Sequence, residues 1–103
     1  MERPFSESAK VVKGIVWKVV GPDMPVGTWF QRTQGSEGED AIRIVVVFPK
    51  SRAAEVTGKQ LIAISGDIRD ALPGIGEDRT PIVSFAHIED EPELERARFS
   101  APA

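Results

Sequence analysis

The chain has 103 residues, 41% of them hydrophobic, and a formal net charge of −3 at pH 7. That length suits one domain and is too short for two independent cores. The absence of cysteine excludes a disulfide framework, a thiolate metal site and a cysteine nucleophile. The opening MERPFSESAK has no apolar stretch of the secretory kind, and runs such as Ile44–Phe48 are far below membrane-spanning length. A soluble cytoplasmic protein is expected.

Segments rich in valine and isoleucine recur about every ten residues between turn signals, a pattern that predicts an all-β domain. Five strands are expected, at Lys10–Val20, Gly27–Thr33, Ile42–Phe48, Gln60–Arg69 and Pro81–Ile88. Between the third and fourth, Ser51 precedes Arg52, Ala53, Ala54 and Glu55, and Gly58 follows, which predicts one short helix. That element order is that of an OB-fold, a five-stranded Greek-key barrel with a helix after its third strand. Gly14 and Gly66 fall inside the expected first and fourth strands, where a residue without Cβ permits the bulge that a small barrel needs to close. The domain is expected over residues 1–88. Residues 89–103 hold Glu89, Asp90, Glu91, Glu93 and Glu95 against Arg96 and Arg98, and are expected to form an acidic tail.

The stretch FPKSRAAEVTGKQLIAISGDIR resembles the helix and fourth strand of bacterial single-stranded DNA-binding proteins. The corresponding residues are Phe48, Lys50, Ala54-Glu55-Val56, Gly58 and Gly66-Asp67-Ile68-Arg69. Ile42-Arg43-Ile44 is similar to that family's third strand, and Lys10-Val11-Val12 followed by Gly14 is similar to its first. The primosomal replication proteins that share the barrel are similar too. The likeness covers residues 9–69 and is densest over 42–69. It implies single-stranded DNA, or RNA, as a partner, held by aromatic stacking and by lysine and arginine contacts to phosphate. It also implies a homo-oligomer. Two tryptophans of the family pattern are replaced, one by Ala41 and one near Leu72-Pro73, and the loops GSEGED and GIGEDRT are acidic.

Period-two alternation sorts the candidate binding residues. Ile42, Ile44, Val46 and Phe48 share one apolar face, which leaves Arg43 on the other. In the second strand Trp29 shares a face with Gln31, and Phe30 shares the opposite face with Thr28 and Arg32, so one of the two aromatics points away from the core. Trp17 lies beyond Gly14 and its face is open. Lys13, Lys18, Arg32, Arg43 and Arg69 compose a candidate basic strip across four strands. His87 has no partner constellation for catalysis, so neither an enzyme nor a cofactor is expected. Two functions compete: a single-stranded nucleic-acid-binding OB protein, and a protein-interaction OB domain acting as an accessory or structural subunit, which the missing tryptophans and the acidic loops favour.

Overall fold

The computed structural model describes residues 5–88, so the expected acidic tail over 89–103 lies outside the described residues. The chain begins with helix α1 (Ser6–Val20). Strands β1 (Gly27–Gln34) and β2 (Asp40–Pro49) follow, then a short 3-10 helix (Lys50–Glu55) and helix α2 (Gly58–Ala71). A second 3-10 turn (Leu72–Ile75) leads to strand β3 (Thr80–Ile88). The strands make one sheet in the order β1-β2-β3, with β1 and β2 antiparallel and β2 and β3 parallel. The fold is therefore α/β, and the expected five-stranded barrel is overturned. Gly14 and Gly66 bend no strand, because both lie within α-helices.

The spacing of large apolar residues explains both corrections. In the segment expected as a first strand, Val12 and Val16 are fully buried one helical turn apart, with Ala9, Ile15 and Val19 packed beside them. In the segment expected as a fourth strand Ile64 and Ile68 are fully buried four residues apart, and Leu72, just beyond that segment, continues the interval and is buried too. Helix α2 also opens on a reciprocal cap: the Gln60 amide donates to the Thr57 hydroxyl (3.1 Å) and the Thr57 amide to the Gln60 side-chain oxygen (2.9 Å). Gly58, expected to end a helix, is the first residue of this one. Helix α1 stops at Gly21, whose φ of 108° is open to glycine at little cost and whose amide donates to the Trp17 carbonyl (2.8 Å).

The other expected elements stand close to their predicted places. The strands β1, β2 and β3 contain the expected second, third and fifth strands, and a helical turn of the 3-10 type follows β2. Gly35 and Glu39 close the β1–β2 hairpin through a 2.9 Å hydrogen bond. Both helices pack on one face of the sheet, where Val12, Val16, Ile64 and Ile68 meet Phe30, Ile42, Ile44 and Val46 in a single core. Among the described residues no helix covers the other face, and none is long and apolar enough to cross a membrane.

Candidate nucleic-acid interface

Two surfaces position the side chains of interest, one on each side of the sheet. On the helical side, a groove of about 310 Å³ runs between α2 and β3, lined by Leu61, Ile62, Ser65 and Arg69 from the helix and Val83 and Phe85 from the strand. Helical period explains its wall: Ile62, Ser65 and Arg69 stand three or four residues apart and so rise on one side of α2, and Lys59, three residues before Ile62, shares that side in the helix's first turn. Strand alternation explains its floor, since Val83 and Phe85 face the helices while Ile82 and Ser84 face away. Phe85 is stacked on Phe48, ring centroids 6.4 Å apart, which fixes its orientation. His87 continues the same face of β3 and is exposed. Because β3 is the last strand in the sheet order, its outer backbone groups have no strand partner among the described residues.

The start of α2 is held firmly. Beyond its cap, the Gln60 side-chain amide donates to the Val19 carbonyl (3.3 Å), tying the first turn of α2 to the end of α1. In the preceding 3-10 helix, Arg52 is engaged: it donates to both carboxylate oxygens of Glu55 (3.0 and 2.9 Å) and to the Asp23 carbonyl (3.0 Å). Its hydrogen bonds hold the Glu55 carboxyl below the usual glutamate range.

The open side of the sheet is flatter. Register places Trp29, Val45 and Ser84 in one row and Gln31, Arg43 and Ile82 in the next. The Arg43 guanidinium lies over the Trp29 ring, 5.6 Å from its centroid. Arg43 is exposed, Trp29 is half-buried, and Ile82 is 41% exposed.

The residues singled out in the sequence do not form one strip. Trp29 and Arg43 come together on the open face. Phe30 is turned the other way and is 4% exposed, stacked against Phe5 at 5.4 Å, so it is a core residue and no platform. Arg32 shares its side of β1 but lies beyond the core, exposed and within electrostatic reach of Glu77. Arg69 lines the groove. Lys13, Lys18 and Trp17 belong to α1, because the expected first strand is helical, and the Trp17 indole donates to the Met24 carbonyl (2.8 Å). Sequence reasoning missed Lys59, Leu61, Ile62, Ser65, Val83 and Phe85. The signal that reveals the groove's helical wall is the cap pattern Thr57-x-x-Gln60 before Leu61, Ile64, Ile68 and Leu72.

No protein-family model matches the sequence, and no curated protein does. A likeness exists to a solved structure of Era in complex with MgGDPNP and nucleotides 1506–1542 of 16S ribosomal RNA, with a TM-score of 0.70 over 98% of this chain at 15% identity. The present chain spans 38% of that chain's length. At that identity the likeness concerns architecture: this chain shares its α/β fold with a part of Era.

Proposed function

We propose that the chain is a non-catalytic module that binds single-stranded nucleic acid, RNA in preference to DNA, in the groove between α2 and β3. The observation that carries this reading is the groove's build: an apolar floor and wall that include the Arg69 cation, beside a strand edge with no strand partner among the described residues. Unstacked bases lie against Ile62, Val83 and Phe85, and their hydrogen-bonding edges meet the outer backbone groups of β3. Phosphates meet Arg69 at one end and Lys59 at the other. A duplex cannot present its bases to such a site, since they are paired and stacked within the helix. Preference for RNA is supported by the ribosomal RNA bound in the Era structure, with a part of which this chain shares its fold.

The test is fluorescence anisotropy with labelled oligouridine, oligothymidine and a duplex of equal length. Oligouridine binds at micromolar concentration or tighter, oligothymidine binds more weakly, and the duplex binds least. Arg69→Gln lowers the oligouridine affinity about fivefold, in keeping with one phosphate contact of about 1 kcal/mol. An oligouridine affinity no better than that of the duplex, or one untouched by Arg69→Gln, defeats the reading.

A further inference from the structure

We infer that the open face of the sheet is a second contact surface for the same nucleic-acid strand, with the Arg43–Trp29 pair as its base-stacking platform. The inference rests on the groove reading for the identity of the ligand, but it concerns residues on the opposite side of the sheet. Three observations converge on it. The exposed Arg43 guanidinium lies over the half-buried Trp29 indole, so the two form a layered pair with the guanidinium outermost. Planar guanidinium and indole groups are the two kinds of surface on which unpaired bases stack. Beside Trp29 the neighbours on that face are small, with Ser84 in its own row and Gly27 in the row beyond, while Gln31 and Ile82 flank Arg43 in its row.

Charge selects among possible occupants. Among the described residues on the rows from Gly27 to Gln31 across the sheet, Arg43 is the single charged one and no acid stands beside it. Two copies of this chain stacked through the same face would bring two such cations into one interface with no carboxylate to pair either, a costly arrangement once desolvated. A flat cationic aromatic surface without a deep socket complements a base and its phosphate better than it complements the branched side chains of a protein partner. Trp29 sits on β1 and the groove on β3, two strand spacings or about 10 Å away across the sheet. One strand that occupies the groove and turns around the exposed β3 edge therefore reaches both.

The experiment measures oligouridine binding to the full chain for the parent, Trp29→Leu, Arg43→Lys and Arg69→Gln, with circular dichroism to confirm folding of each. A stacked base is worth roughly five- to hundredfold in affinity, so Trp29→Leu is expected to weaken binding within that range. Arg43→Lys keeps the charge and removes the plane, and is expected to weaken binding several-fold while leaving the salt dependence unchanged. In a Trp17→Phe background, quenching of the remaining indole by oligouridine reports the platform directly. Parent-like affinity in both Trp29→Leu and Arg43→Lys, with Arg69→Gln still weakened, overturns the second surface and leaves the groove standing. Full affinity in Arg43→Lys alone also overturns it, since charge without stacking then accounts for the contact. Self-association that disappears in Arg43→Lys, without any nucleic-acid effect, assigns the face to a second copy and overturns it as well. A parent that binds no oligonucleotide removes both readings together.

Discussion

At the scale of single residues, one arginine fastens the amino-terminal end of the described chain to the loop before β3. Arg79 donates to both carboxylate oxygens of Glu77 (2.7 and 2.8 Å), and its guanidinium lies over the Phe5 ring at 5.6 Å. Phe5 in turn stacks on the core residue Phe30, and this packing holds Phe5 at a φ of 72°, a left-handed conformation that non-glycine side chains disfavour. The hydrogen bonds from Arg79 push the Glu77 carboxyl below the ordinary glutamate value, against the opposing effect of partial burial. A depressed carboxylate contributes stability that is fully present above its unfolded-state value near 4.3, and that contribution is lost as pH falls through the lower folded-state value. Glu77→Gln should therefore cost about 1 kcal/mol at neutral pH. Thermal melting followed from pH 7 down to about pH 3 should show the two proteins converging in the acid range. A variant whose deficit stays constant over that range would mean that the ion pair is not what Glu77 contributes.

At the scale of elements, the two helices show how a sequence can hide a helix behind valine and isoleucine. Val11, Val12, Ile15, Val16, Val19 and Val20 recur in adjacent pairs every four residues, which is a helical stripe, yet their β-branched side chains favour strands and Gly14 interrupts the run as a bulge would. The alternating strands β1, β2 and β3 were legible because period two has no such rival there. The groove was less so: Ile62, 74% exposed, reads in isolation as an ordinary strand residue, and its pairing with Phe85 exists only because β2 and β3 are parallel and α2 forms their crossover. Strand alternation alone puts Arg43 opposite the apolar face of β2, but it leaves the choice between Trp29 and Phe30 open, and the burial of Phe30 decides it. The glycines supply a test of the helices themselves. A Cβ added at Gly14 or Gly66 would meet nothing within 4 Å, and neither residue has a positive φ. Gly14→Ala and Gly66→Ala should each raise stability by about 0.5–1 kcal/mol, the helix-interior preference for alanine. Urea denaturation measures it through an increased midpoint at unchanged slope. Destabilisation by both would point to strand bulges at these positions and against the helices.

At the scale of the whole molecule, charge limits how the chain can hold a polyanion. The net charge of −3 comes from the acids of residues 89–103, since residues 1–88 are balanced. No general positive field draws a strand in, so the proposed binding must depend on a few local cations. Arg69 lines the groove, Lys59 stands in the first turn of the same helix, and Arg43 lies on the open face, so about three phosphate contacts are available to a strand that touches both surfaces as proposed. Each contact to a single strand contributes about −0.7 to the slope of log affinity against log salt. A slope near −2 is therefore expected, which lowers affinity by roughly fifteenfold between about 50 and 200 mM salt. Arg69→Gln and Arg43→Gln should each reduce the slope by about 0.7. An oligomer too short to leave the groove should respond to the first substitution and not to the second. A parent slope steeper than about −4 would demand more cations than these surfaces offer, and would move the contacts to another part of the protein such as the lysines of α1. A slope near zero would exclude phosphate contacts altogether and leave stacking on apolar and aromatic groups to carry the binding.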